Sequence, residues 1–378
     1  MSYRLLLTLC VLLLAVPAAC QQRDDPGRSV TRLSGSENWQ KDFPRHAVPL
    51  DEIISGGPPK DGIPALDRPT FVSADAADRW LGGRDPVIVV EHGGRAKAYP
   101  LSILIWHEIV NDRVGGLPVA VTFCPLCNTA LVFDRRVGER TLDFGTTGRL
   151  RNSDLVMYDR QTETWWQQAT GEAIVGALTG TDLRNVASNT LAWKTARELY
   201  PELTVLSRDT GYDRDYGRNP YVGYDRPGGN PISAFFDRDT DPRLPTMERV
   251  VAIDLGKGWA APFSALREER VVNERVGDTE FAVFWAPGAA SALDEAEISA
   301  GRDVGQTAVY RRALGNRTLT FEADRGGFRD RETGSRWDLA GRAVSGPLRG
   351  RRLTPLAAGN HFWFAWVVFR PDTEVWTG

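Results

Sequence analysis

Residues 118–133 read PVAVTFCPLCNTALVF, and this stretch predicts two β-strands joined by a tight turn. The first apolar run leads into Cys124 and stops at Pro125. A second apolar run follows Asn128, so Cys127 lies between the two predicted strands. We therefore expect both sulfurs of this Cys-x-x-Cys motif to lie at one end of a sheet.

Working outward, much of this region recurs later in the chain. Val87–Pro100 is echoed by residues 250–262, and Ile109–Gly115 by residues 271–277. The strand before Cys124 is echoed by Phe281–Pro287. The repeat is far longer than a solenoid unit and predicts two homologous modules related by a pseudo-twofold axis.

The repeat sets the predicted domain boundaries. They are a signal peptide over 1–19, a tether and N-terminal arm over 20–60, a first module over 61–207, a connection over 208–243 and a second, degenerate module over 244–378. Most short apolar runs are bounded by Gly, Asn, Asp or Pro, so the fold class is mainly β (a β-rich α+β fold) with a few short helices. Asp159–Thr162 predicts a hairpin turn that recurs at Asp330–Gly334. Leu191–Leu199 predicts a helix capped by residues 188–190.

The N-terminus predicts export. Arg4 precedes an apolar run too short to span a bilayer, and small residues then lead to Cys20. The segment resembles a bacterial lipobox, with Pro17 as its departure, and predicts lipidation of Cys20. Cleavage by an ordinary signal peptidase after Ala18, with an incidental Cys20, is the alternative. We expect a periplasmic or surface lipoprotein that meets the membrane only through its anchor.

Composition excludes several function classes. The formal charge of −3 provides no basic surface for nucleic acid, and no Gly-rich loop has nucleotide-binding spacing. Once Cys10 leaves with the signal and Cys20 is lipidated, only Cys124 and Cys127 remain in the fold. The core must therefore come from apolar burial, to which 12 Trp and 15 Phe contribute. The sequence names no protein partner.

Several motifs in order resemble the DUF3179 family, a bacterial and archaeal domain of unknown function. They are GGPPKDGIPALDRP at 56–69, WHEIVND at 106–112, FCPLCN at 123–128 and FGTTGRLRNSDLVMYDR at 144–160. The resemblance covers about residues 48–377. It implies no activity, because the family has none assigned, and Asn128 stands where Gly is most frequent.

Comparison of the two modules separates folding residues from candidate functional ones. Asn111, Asp159 and Trp166 recur as Asn273, Asp330 and Trp337, which favours structural roles. By contrast, four residues of the first module, His107, Cys124, Cys127 and Met157, are replaced by Glu269, Ala286, Ala289 and Phe328.

We expect these four side chains to form one soft-metal site. Thiolate, imidazole and thioether ligands suit Cu(I), and two thiolates with His could also hold Zn(II). The Met favours copper. His361, in the second module, is assigned no role.

Two alternatives stay open at this point. Cys124 and Cys127 could cycle between dithiol and disulfide in a thiol-disulfide oxidoreductase, with His107 assisting proton transfer. They could instead form a static disulfide in an interaction protein. Met157 alone is more typical of core packing, and His107 with Glu108 could form a general base and its orienting carboxylate.

Overall fold

A computed structural model describes Trp39 and residues 45–378. The predicted signal peptide, Cys20 and most of the predicted tether lie outside the described residues. Among the helices within them, none is both long and apolar enough to cross a membrane.

The described chain is mainly β, as predicted. Its first strands are β1 (Ile53–Ser55), β2 (Phe71–Ser73), β3 (Pro86–His92), β4 (Arg95–Pro100), β5 (Ile109–Val114), β6 (Leu117–Cys124), β7 (Thr129–Asp134), β8 (Arg136–Val137), β9 (Arg140–Thr141), β10 (Phe144–Arg151), β11 (Asp154–Asp159), β12 (Trp165–Gln167), β13 (Ala173–Val175), β14 (Asn189–Ala192) and β15 (Thr204–Leu206). The later strands are β16 (Arg249–Asp254), β17 (Gly258–Pro262), β18 (Val271–Val276), β19 (Thr279–Ala286), β20 (Gln306–Arg311), β21 (Ala313–Leu314), β22 (Arg317–Thr318), β23 (Phe321–Asp324), β24 (Gly327–Asp330), β25 (Arg336–Trp337), β26 (Ala343–Ser345), β27 (Gly359–Phe362) and β28 (Glu374–Val375). Five short α-helices accompany them: α1 (Ala74–Ala77), α2 (Leu101–His107), α3 (Trp193–Leu199), α4 (Phe263–Glu269) and α5 (Trp363–Val367).

One succession of strand pairings occurs twice. The β3–β4 hairpin runs into α2 and then into the antiparallel strands β5, β6 and β7. The β16–β17 hairpin likewise runs into α4 and then into β18, β19 and β20. Later, β14 and β15 return to β3 and β4 as β27 and β28 return to β16 and β17. An internal duplication is our interpretation of this repetition.

We call the elements β3 to β15 the first part and the elements β16 to β28 the second part. The residues that the two parts share make the same contacts in each. The Asn111 side chain bonds the backbone N–H and C=O of Phe144, and Asn273 bonds those of Phe321. The indole of Trp166 donates to Asp159, and that of Trp337 donates to Asp330. These bonds tie hairpins together at buried or part-buried positions, which is the structural role predicted for them.

Strands of the two parts form one continuous sheet. A seven-stranded sheet has the order β28-β17-β16-β27-β7-β6-β5, so strands of the second part continue the sheet of the Cys-x-x-Cys motif. The join is the pairing of Asn360 on β27 with Ala130 on β7. Phe362 and Phe364 pack in the same apolar cluster as both cysteines. The second part therefore completes the core around the motif.

The predicted helix over Leu191–Leu199 is shorter than expected. Residues 189–192 form β14 and pair with β3, and α3 begins at Trp193 without a side-chain cap. The capping prediction for residues 188–190 was wrong because β3 offers an open sheet edge there, and ladder hydrogen bonds override local capping preference.

Candidate metal and thiol site

The Cys-x-x-Cys motif forms a turn held at both ends by the sheet. Strand β6 ends at Cys124, a single 3₁₀ turn covers Pro125–Cys127, and β7 starts at Thr129. Pro125 suits the first position of such a turn, and Asn128 takes the left-handed conformation (φ 50°) that Asn tolerates better than most residues. Cys124 at the end of β6 pairs directly with Thr129 at the start of β7, and this pair closes the turn.

The structure adds a carboxylate to the two sulfurs. Ligand atoms of Cys124, Cys127 and Asp154 all lie within 4.8 Å of one another, and all three residues are buried. Oδ2 of Asp154 accepts hydrogen bonds from Gln167 Nε2 (2.6 Å) and from the N–H of Ala169 (2.9 Å). Oδ1 of Asp154 is buried and has no hydrogen-bond partner among the described residues.

A longer hairpin brings Asp154 to the cysteines. The β10–β11 hairpin turns at Asn152 and Ser153, both with positive φ, and Asp154 follows at once. The matching β23–β24 hairpin already turns at residues 325–326 and has no such tip. Residues 152–154 have the composition of an ordinary turn, and the difference in length between the two hairpins is the signal in the sequence that points to Asp154.

Glu108 is a second buried carboxyl near the site. It ends helix α2 with φ 58°, and its C=O accepts a hydrogen bond from the N–H of Phe123. Burial and the charge of Asp154 raise the pKa of Glu108 to about 8. Burial likewise raises the pKa of Asp154 to about 6, although hydrogen bonds to its carboxylate oppose that rise.

The thiols share this acidic environment. Burial raises the pKa of Cys124, which Asp154 and Glu108 raise further. Burial raises the pKa of Cys127 strongly, with Cys124 and Asp154 adding to it. Neither carboxyl has a salt bridge to Lys or Arg among the described residues. Four groups that become negative on ionisation therefore lie in one buried region, and no Lys or Arg of the described chain forms an ion pair with either carboxyl.

His107 lies outside the group formed by the two sulfurs and Asp154. Its ring is fully buried, with Nδ1 bonded to the C=O of Pro64 (2.7 Å) and Nε2 bonded to the hydroxyl of Tyr216 (2.6 Å). Burial lowers its pKa. Both ring nitrogens are thus engaged, and the electrostatic neighbour of Cys124 in this segment is Glu108.

Met157 is fully buried in the same apolar cluster as both cysteines. Its partners across the sheet are Thr146 on β10 and Trp166 on β12. This packing is typical of a Met side chain in a hydrophobic core.

The predicted connection covers the site. Residues 208–243 form no helix or strand, and we call them the strap. Tyr216 of the strap bonds His107, and the Tyr224 hydroxyl donates to the C=O of Leu126 inside the Cys-x-x-Cys turn (2.9 Å). With this cover Cys124 is 1% exposed and Cys127 is fully buried. Nothing in the local sequence of the strap signalled these distant contacts.

Comparison with known proteins provides a family and no activity. A family model described as a protein of unknown function, DUF3179, matches residues 60–373. No curated protein and no solved structure matches the chain.

Proposed function

Because the chain belongs to the DUF3179 family, whose description assigns no activity, we propose a function from the site itself. The protein binds a soft or borderline metal ion through Cys124 and Cys127, with Asp154 as a third ligand. The observation that carries this proposal is the set of buried acidic groups, which have no basic partner within the part of the chain that the structure describes. Buried charges are stable only when paired or coordinated to a metal, so the deprotonated form of this set calls for a bound cation.

The donor set bears on which metal is bound. Two thiolates suit Cu(I), the metal favoured by the sequence, and Met157 in the same cluster would reinforce that preference if its sulfur reached the ion. A carboxylate oxygen beside the two sulfurs suits Zn(II), which accepts sulfur and oxygen ligands together. Asp154 therefore moves the proposal towards zinc, and the two metals are separated by direct competition.

Metal analysis of the purified protein, prepared under reducing conditions, tests the proposal. We expect close to one Zn(II) or Cu(I) per wild-type chain, a loss of metal in Cys124→Ser and Cys127→Ser, and weaker binding in Asp154→Asn. Asp85→Asn is the matched control, because Asp85 is also buried with a pKa raised by burial to about 6, but is bonded by Gly82 and does not belong to the group of Cys124, Cys127 and Asp154. Equal and negligible metal in the wild type and Cys124→Ser would refute the proposal.

A thiol oxidoreductase is the second candidate, and one observation favours it. The ligand atoms of both thiols and of Asp154 lie within 4.8 Å of one another, so this carboxylate could accept the proton of an attacking thiol. The burial of both sulfurs excludes direct reaction with a protein disulfide while the strap is in place. Redox titration of the dithiol separates the candidates, because a very low potential is typical of structural disulfides and would count against an enzyme.

We also propose that the protein is exported and held at a membrane through Cys20. The proposal rests on the sequence of residues 1–20. We expect the wild type in the membrane fraction and Cys20→Ala in the soluble extracytoplasmic fraction. Release of the wild type into the soluble fraction would contradict lipidation.

A further inference from the structure

One histidine of the second part reaches the Cys-x-x-Cys turn. His361 lies on β27, next to the residue that pairs with β7. Its ring is fully buried and packs on Trp366, with ring centroids 5.0 Å apart. Nδ1 lies 2.9 Å from the hydroxyl oxygen of Thr129. No other His ring in the described chain bonds a residue between Cys124 and Thr129.

Thr129 links His361 to the Cys-x-x-Cys turn. Its hydroxyl oxygen lies 3.4 Å from the C=O of Cys127 and 2.9 Å from Nδ1 of His361, where either group can be the donor. In either tautomer of the ring, Thr129 engages Nδ1 and leaves Nε2 to another partner.

The second ring nitrogen, Nε2, lies beside a small cavity. Nε2 is buried without a hydrogen-bond partner among the described residues. A cavity of about 30 Å³ is lined by His361, Leu131, Asn185 and Trp366, among other residues. Gly359 helps to leave this space free, since a Cβ at that position would collide with Nε2. Such a cavity has room for one water molecule, and a buried ring nitrogen without a partner is costly whether it is a donor or an acceptor.

We propose that His361 is a positioning residue for the cysteine site, with one water molecule bound at its Nε2. Through Nδ1 it fixes Thr129, which pairs with Cys124 and bonds Cys127, and so it holds the turn that carries both sulfurs. The inference rests on the proposed metal-binding function. It gives the second part of the chain a direct role at a site whose sulfurs both belong to the first part.

Three substitutions of His361 separate the roles of its two nitrogens. Asn places an amide N–H near the position of Nδ1, Gln places one near Nε2, and Phe keeps the ring without either nitrogen. The probe is Co(II), whose absorption bands report thiolate ligation and coordination geometry. Affinity is measured by competition with a chelator.

We expect His361→Phe to bind Co(II) ~10-fold more weakly or worse and with shifted bands, as is usual when a partner of a metal ligand is lost. His361→Asn should restore the wild-type bands, and His361→Gln should not. An identical affinity and spectrum in wild type and His361→Phe would overturn the inference while leaving the proposed function intact. Absence of Co(II) binding by the wild type would instead overturn both.

Thr129 provides a second pair of variants in case His361→Phe fails to fold. Thr129→Val removes only the bridging hydroxyl and should shift the bands as His361→Phe does, whereas Thr129→Ser should keep them. Wild-type bands in a folded Thr129→Val protein would overturn the positioning role. A crystal structure should show a water molecule within hydrogen-bond distance of Nε2, and an empty cavity would overturn that part of the inference.

Discussion

Glu108 and Asp154 make the metal-free protein sensitive to pH. Each carboxyl is buried; Asp154 raises the pKa of both thiols, and Glu108 raises the pKa of Cys124. Without a metal, Glu108 and both thiols hold their protons at neutral pH, because an ionised group in an apolar interior is costly. Metal binding would replace those protons, so affinity should rise with pH.

The first prediction concerns Glu108. Its pKa is raised from an ordinary 4.5 to about 8 in the folded protein, so between these values the folded state holds a proton that the unfolded state has released. The free energy of unfolding of the metal-free protein should therefore fall as pH rises from about 4.5 to about 8. Glu108→Gln should remove this loss, on the order of a few kcal/mol at pH 8.

Urea denaturation of metal-free wild type and Glu108→Gln at several pH values measures the effect. Glu268→Gln, an exposed change at the end of helix α4, is the control and should follow the wild type. Parallel pH profiles for wild type and Glu108→Gln would show that Glu108 is not held protonated.

Two kinds of residue at this site differ in how visible they are in the sequence. Cys124 and Cys127 stand out because the second half of the chain lacks both. Asp154 follows Asn and Ser and has the composition of an ordinary turn, so only its place at the tip of a longer hairpin reveals it. His361 lies far from the motif in sequence, and only the pairing of β27 with β7 brings it near.

At the scale of elements, we expect the strap to limit access to the sulfurs that it covers. Its bonds from Tyr216 and Tyr224 reach one residue of α2 and one of the Cys-x-x-Cys turn. These two side-chain bonds act beside the backbone bonds that Asn219, Gly223 and Tyr224 donate to residues 293–296, so the loss of either removes only part of the free energy that holds the strap in place.

The second prediction follows from the bond between Tyr224 and Leu126. Tyr224→Phe removes this bond, worth about 1 kcal/mol, which corresponds to about fivefold more frequent opening. The rate at which a maleimide labels Cys124 and Cys127 in the folded protein should rise by about that factor.

Tyr212→Phe is the matched control, because Tyr212 is an exposed tyrosine of the same strap. Its labelling rate should equal that of the wild type. If Tyr224→Phe is labelled no faster than Tyr212→Phe, the strap does not limit access.

Local sequence patterns predicted the elements well where the period of the apolar residues matched the buried positions of the element. The strands around the Cys-x-x-Cys turn and the hairpin after Asp159 lie where expected. The prediction failed at residues 189–192, where an alternative partner, β3, decided the structure. The contacts of the strap could not be predicted from the sequence. The strap has no periodic apolar pattern, and without one nothing identifies the distant partner of a tyrosine.

At the scale of the whole molecule, the two parts depend on each other for burial. Strand β27 continues the sheet beyond β7, and Phe362 and Phe364 fill the cluster around the cysteines. Removing the second part would expose this apolar surface and leave β7 with a free edge.

The third prediction is that residues 45–243 do not fold alone. We expect this fragment to lack the cooperative thermal transition of the full chain, measured by near-ultraviolet circular dichroism. In the full chain, tryptophan fluorescence and exposure of the buried thiols should report a single transition. A fragment with its own cooperative transition would instead show that the first part is an independent domain.

The hairpin tip at Asn152 and Ser153 has a consequence for how such a site is gained or lost. Two parts of the chain share their pairings and their anchoring Asn and Trp residues, yet only the longer hairpin presents a carboxylate to sulfur. A change in the length of this one hairpin turn would thus suffice to create or erase the third ligand while the sheets stay as they are. In evolutionary terms, the sheets of this protein and the ligands of its site can change separately, because the length of one loop decides whether a carboxylate reaches the sulfurs.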